Sequence, residues 1–414
     1  MSSEAFDPFA GPQIIASVPT TESQREVWTA AQVSEEANLA YNESVSISLS
    51  GALDVSRLER ALSELVRRHE VLRSTFSSDG LTLIVNEATA LPLGHVDCAG
   101  RPEALEALVT QAVSQPFELE KGPLFRAALA KKSPTEHVLV LTAHHAVVDG
   151  WSTAVLVGEL ARLYSQAELS AAASFVRWSR DLQTRRASSD AAADEAFWVG
   201  RFPGEAPVLE LPTDRARPPL KTYASRREDF VLDDALVARL KKAGAKERAS
   251  LFAVLLAGFK ALLHRLSGQD DIVVGIPSAG QSVGGYDGLV GHCVNMLPLR
   301  TRVNPADPVA AFLGDVRRTL LDAQAHQLYT MGQLLQKLPI ARDPSRLPLV
   351  SVIFNVDRGL SPDAMPFQGL TASLEANGRR YETYDLFLNA VELQGRVKLE
   401  CQYNTDLFDA VTVR

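Results

Sequence analysis

The chain has 414 residues, 46% hydrophobic and 22% charged, with a formal net charge of −8. That balance suits a globular protein with room for two cores and does not point to a nucleic-acid or anionic-membrane partner. Cys98, Cys293 and Cys401 are far apart, no CxxC occurs, Met1-Ser2-Ser3-Glu4 lacks the basic and apolar regions of a signal peptide, and no apolar run spans a bilayer, so a reduced, cytoplasmic protein is expected.

Residues 1–19 read as an irregular leader. Thr21 with Gln24 forms a capping box that opens a helix. Residues 44–50 alternate as Ser-Val-Ser-Ile-Ser-Leu-Ser, a half-buried strand. Asp54 or Ser56 then starts a helix whose apolar face is Leu58, Leu62, Leu65 and Val66. Strand signals return at Leu81–Val85 and Phe125–Ala130. The run Val138 to Ala143 has the length and β-branched content of a buried strand and leads into His144-His145-Ala146-Val147-Val148-Asp149-Gly150. Trp151 to Ser165 has helical spacing, with Leu156, Leu160, Leu163 and Tyr164 on one side. From about Thr184 to Leu220 the composition shifts. An Ala/Ser/Asp-rich stretch and the prolines Pro203, Pro207, Pro212, Pro218 and Pro219 suggest a connection between two lobes. The domain reading is therefore a first lobe over 20–183, a connection over 184–220 and a second lobe over 221–414. In the second lobe, 233–243 and 249–266 read as helices and 271–276 and 350–356 as buried strands. Residues 385–393 and 396–403 read as a hairpin turning at Gln394-Gly395.

The histidine pair is the most informative feature. Adjacent strand residues point to opposite faces, so if one histidine faces the core the other faces away, toward a cavity or a second lobe. Asp-Gly allows the tight turn that follows. A metal site is disfavoured because the two rings point apart and no Cys or carboxylate stands nearby at ligand spacing.

The segment Ala143 to Ser152 resembles the HHxxxDG signature of condensation domains from nonribosomal peptide synthetases, within the chloramphenicol-acetyltransferase-like superfamily. Other motifs of that family follow in order. Thr21–Trp28 resembles the first, Arg68–Phe76 the second, Phe175–Trp178 weakly the fourth, Val290–Arg300 the fifth and Arg342–Leu349 the seventh. Leu211–Arg215 and Tyr403–Phe408 are also similar to family segments, whereas His326-Gln327 fits the sixth motif poorly. The fifth motif departs from the pattern: His292 and Cys293 stand where two phenylalanines are usual, as in domains that follow polyketide modules or use unusual donors.

The resemblance implies an α/β fold of two acetyltransferase-like lobes in a V-shaped pseudo-dimer, with a central tunnel and with floor and latch segments crossing from the second lobe; Ser278 to Gln281 would belong to the floor. It implies amide formation, in which a carrier-tethered α-amine attacks an acyl thioester held on a phosphopantetheine arm or on coenzyme A. His145 is assigned to the reacting amine, as general base or as orienting group. His144 is assigned a structural, inward-facing role, and Gly150 offers an N–H to the oxyanion. Asp149 is expected to pair with Arg300. Trp151, His292, Cys293, Asn295 and Ser278 are expected to shape the tunnel, and Arg68 and Arg73 to be structural or interface residues. No covalently bound cofactor or metal is expected. The expected partners are a downstream peptidyl carrier protein, an adenylation domain and an upstream acyl carrier or acyl-coenzyme A donor, with the isolated domain monomeric. Because the first motif lies near Met1 and the last residues stop short of the family's final helix, a starter-type domain cut from a longer synthetase is the expectation. The alternatives are an epimerisation domain, which needs a glutamate acting on a Cα proton; a catalytically silent recruitment domain, which would lose His145 or Gly150; and an ester-forming enzyme.

Overall fold

The computed structural model describes residues 13–186, 190–282 and 285–414. The leader thus lies mostly outside the described residues, but its last part does not: Ile14–Pro19 is strand β1, not irregular chain. Val18 at its buried face and antiparallel pairing with a later strand are the reason.

Helix α1 (Glu22–Ala31) opens with the expected capping box, in which Thr21 Oγ1 accepts from Gln24 N while the Gln24 amide accepts from Thr21 N. After α2 (Glu35–Leu39), β2 (Asn42–Gly51) and α3 (Val55–Arg68) follow. Asp54 is the N-cap of α3, and Leu58, Leu62, Leu65 and Val66 are all buried. Short strands β3 (Ser74–Phe76) and β4 (Thr82–Asn86) pair, with β4 also taking β1, to give one three-stranded sheet. Then come β5 (Leu93–Asp97), α4 (Pro102–Ser114), β6 (Phe125–Ser133), β7 (Glu136–His144), α5 (Gly150–Tyr164) and α6 (Phe175–Arg186). Leu156, Leu160 and Tyr164 of α5 are buried as expected.

The connection is more ordered than its composition suggests. Asp190–Gly200 is helix α7, and Trp198, Phe202 and Leu209 join the second lobe's core. The alanines of this stretch are strong helix formers, and Phe197-Trp198 supplies the apolar anchor. The second lobe continues with β8 (Ser225–Val231), α8 (Asp234–Lys246), α9 (Leu251–Ser267), β9 (Asp271–Ala279), β10 (Val294–Arg302), α10 (Val309–Ala325), α11 (Met331–Lys337), β11 (Val352–Arg358), β12 (Leu370–Ala376), β13 (Leu386–Leu393), β14 (Arg396–Asn404) and the short α12 (Ala410–Val413). The β13–β14 hairpin turns where expected, with positive φ at both Gln394 and Gly395.

The second lobe's sheet has the order β10-β9-β11-β13-β14-β8, mixed in direction because β11 lies parallel to both β9 and β13. The first lobe's large sheet has the order β12-β2-β7-β6-β5. Its edge strand β12 comes from the second half of the chain and runs antiparallel to β2 from Leu370↔Gly51 to Ala376↔Val45. Leu289, Val290, Cys293, Met365 and Phe367 likewise enter the first lobe's core. A boundary at residue 220 therefore separates the lobes in sequence but not in packing. Among the described residues no single helix is long and apolar enough to cross a membrane.

Candidate active site

Strand β7 delivers the histidine pair. His144, its last residue, is fully buried between the Tyr41 and Phe117 rings, each with its centroid 6.0 Å away. Its Nδ1 accepts from Ala146 N at 3.2 Å, so this ring is structural. Burial, reinforced by His145 and Arg126, pushes its pKa from 6.5 down to about 3. Above about pH 6.5 the ring is neutral both folded and unfolded. Below that, the unfolded chain takes up a proton that the folded one refuses, so stability falls between pH 6.5 and 3. We expect His144→Asn, which keeps an acceptor, to flatten the slope of stability against pH in that window. Urea unfolding at a series of pH values reads this, and an unchanged slope would refute it.

His145 leaves the strand and faces the other way, its side chain 22% exposed. Its Nδ1 lies 2.8 Å from the Val148 carbonyl, which can only accept, so Nδ1 carries the proton and Nε2 presents a lone pair. The His292 ring stands edge-on to it, with centroids 4.8 Å apart. Burial, followed by the His145 and His144 rings, holds the His292 pKa well below its usual value. Next to it, burial and the nearby Asp149 keep the Cys293 thiol well above its usual pKa, so it is no ready nucleophile.

Asp149 caps α5. Its Oδ1 accepts from Ser152 N (2.8 Å) and Ser152 Oγ (2.7 Å), and its Oδ2 from Gln281 Nε2 (2.8 Å) and Cys293 N (3.0 Å). All four lone-pair positions of the carboxyl group are used. The expected pairing with Arg300 is therefore corrected: Arg300 grips Asp271 at 2.7–3.2 Å. It stands seven residues beyond Cys293, roughly 23 Å along the chain at ~3.3 Å per strand residue. Gln281 is the residue that the sequence reading missed as partner, although it lies in the segment expected to form the floor. We expect Arg300→Ala to cost about 1–2 kcal/mol through the lost Asp271 pair and to leave turnover within about twofold, measured by denaturation and by product formation.

The remaining expected residues divide. Ser152 Oγ accepts from Gly291 N and also lies 2.9 Å from the Gly291 carbonyl, so its single proton is shared between that carbonyl and Asp149 Oδ1. A side chain at Gly291 would place its Cβ 2.2 Å from the Phe175 ring, so glycine is what lets this segment press against α5 and α6. Trp151 is 40% exposed; it is not a buried wall, and its Nε1 holds the Asp287 carbonyl at 2.8 Å. Gly150 is the exposed first residue of α5, so its N–H has no intrahelical carbonyl. Ser278, Cys293 and Asn295 line one narrow cleft, partly open to solvent, with Trp178, Arg185 and Gln327. His145 is not among its lining residues. Asn295 Nδ2 ties down the Gln327 and Tyr329 carbonyls, both at 2.8 Å. Arg68 and His69 both bind Glu159 on α5, and Arg73 binds the Asn86 carbonyl, so this motif is a staple within the first lobe.

Sequence reading also missed Glu43 and Arg379. Glu43 Oε1 lies 3.7 Å from His145 Nδ1 and 2.5 Å from Arg379 Nη2. A signal for it existed: Glu43 heads the strand stripe Val45, Ile47, Leu49, where a charged residue needs a reason. Burial raises the Glu43 carboxyl, but Arg379 outweighs it and holds the pKa below its usual value.

The family model for the condensation domain matches residues 14–414. The chain belongs to the condensation-domain family. It is similar to surfactin synthase subunit 2 of Bacillus subtilis, 33% identical over 411 residues that make up 99% of this chain and 11% of that protein. It is also similar to tyrocidine synthase 3 of Brevibacillus parabrevis, 35% identical over 404 residues, or 95% of this chain and 6% of that one. The domain thus spans a small fraction of these relatives. Its fold matches that of the condensation domain from the Monacolin K polyketide synthase MokA with a TM-score of 0.87, at 22% identity and over 96% of this chain and 94% of that one.

Proposed function

We propose that this condensation domain forms an amide bond by attack of a carrier-tethered aminoacyl α-amine on an acyl thioester. The observation that carries this reading is the partly exposed His145, whose Nδ1–H is fixed on the Val148 carbonyl so that Nε2 presents its lone pair. An α-amine titrates near pH 8, so a useful fraction is nucleophilic at neutrality, and aligning two tethered reactants supplies several kcal/mol. The residual demand is proton removal and stabilisation of the oxyanion. His145 meets the first, and the Gly150 N–H at the start of α5 offers a donor for the second. With the Cys293 thiol held neutral, direct aminolysis fits better than a covalent acyl-enzyme.

The donor arrives on coenzyme A or on a carrier protein, and the acceptor on a peptidyl carrier that an adenylation domain loads. The test is the intact mass of an aminoacyl-loaded carrier after incubation with the domain and either a panel of acyl-coenzyme A donors or an acyl-loaded carrier. An acyl mass gain with coenzyme A donors assigns a starter role; a gain only with the loaded carrier assigns a carrier-borne donor. No gain with either defeats the reading. Glu43 beside His145 favours a second reading, epimerisation, which would show as solvent deuterium entering the aminoacyl Cα with no amide formed.

A further inference from the structure

Glu43, Arg379 and Glu382 form a line of charge that ends on His145. Arg379 Nη2 meets Glu43 Oε1 at 2.5 Å, and its Nη1 meets Glu382 Oε2 at 2.9 Å. Glu382 is 1% exposed and also accepts from Thr383 N and Oγ1, so it is fixed in place. Two carboxylates share one guanidinium, which leaves the unit one positive charge short. The imidazole of His145 is the next group in line. Among the described residues, the other titratable groups that act on Glu43 and His145 include His144, His292 and, on β11, Asp357. Burial keeps both His144 and His292 uncharged, so neither supplies the missing positive charge.

We infer that Glu43 is a positioning residue for the amide-forming step, acting through His145: its Arg379-clamped carboxylate stabilises the imidazolium that forms as His145 takes the proton of the attacking amine. The inference rests on the amide-forming reading and decides between the two roles open to His145, favouring proton acceptor over orienting group. In the step, the amine nitrogen bonds to the thioester carbonyl carbon, and the nitrogen's proton passes to His145 Nε2. The C–S bond then breaks, and the same proton returns to the departing thiolate. The atoms balance as amine plus thioester giving amide plus thiol. Arg379 comes from the segment that follows β12, so the charge supporting a first-lobe histidine is set from the second half of the chain.

The test compares wild type, Glu43→Gln and Glu43→Asp in single-turnover amide formation from pH 5.5 to 9. Glu43→Gln is isosteric, and an unchanged unfolding midpoint confirms that it is folded. We expect its rate to fall roughly 10- to 100-fold with the acceptor KM little changed, less than the loss of the base itself. An anion beside a ring favours the ring's charged form, so removing it also moves the acid limb of the rate profile to lower pH. Glu43→Asp keeps the charge and should keep the limb near its wild-type position. A Glu43→Gln variant with wild-type rate, or with a lowered rate but an unmoved limb, overturns the inference while leaving amide formation standing. No amide from wild type overturns both.

Discussion

His145→Ala is expected to lower the rate of amide formation by about 10²–10⁴-fold, the usual contribution of a positioned base. The side chain is partly exposed, with its hydrogen bond to the Val148 carbonyl of its own turn and Glu43 at 3.7 Å, so the fold should survive. The residual rate should rise with pH as more of the free amine appears, because the alignment of the two tethered substrates is untouched. Quenched-flow mass spectrometry of the carrier-bound product measures this. A variant that keeps the wild-type rate at pH 7 would move the chemistry away from this imidazole.

The second large effect is structural. Asp149→Ala should destabilise the domain by about 3–5 kcal/mol, because it removes the acceptor that four buried donors share and strands Ser152 N, Gln281 Nε2 and Cys293 N outright. Two donors lie on α5 and two come from the second half of the chain, so the loss falls on the seam between lobes. Asp149→Asn should be nearly as damaging, since its amide nitrogen must face either the Ser152 pair or the Gln281–Cys293 pair, donor against donor. Urea denaturation followed by tryptophan fluorescence reads the change; a cost below about 1 kcal/mol would show that the seam is held elsewhere.

Local signals in the chain were strong wherever structure is made locally. The capping box at Thr21, the Asp54 cap, the strand feeding His144 and the Gln394-Gly395 turn are legible because each depends on neighbours within four residues. That the two histidines face different ways was legible from strand alternation, although only His144 belongs to β7. The misreadings share a cause, which is dependence on a distant partner. β1 is a strand because β4 lies beside it. The Asp149 carboxyl group chose Gln281 and the Cys293 amide over Arg300 because the reach of β10 carries that arginine away, and no spacing rule in the sequence encodes this. Glu43 was overlooked because it lies outside every motif, and only the β2–β7 register, Asn42↔His144, brings it to the site.

The exchange of β12 into the first lobe has a consequence for synthesis of the chain. Once β7 has covered one edge of β2 the other stays unpaired, and its partner strand ends 325 residues after Gly51, at Ala376. At 5–20 residues per second that edge stays open for roughly 16–65 s. The nascent first lobe is therefore a sheet waiting for its border, and an open border invites pairing with other chains. The side chains of Ser44, Ser46, Ser48 and Ser50 give this strand one hydrophilic face during the wait. Truncation before residue 370 should release an aggregation-prone lobe, so the first lobe is not expected to serve as a unit that can be transplanted by itself.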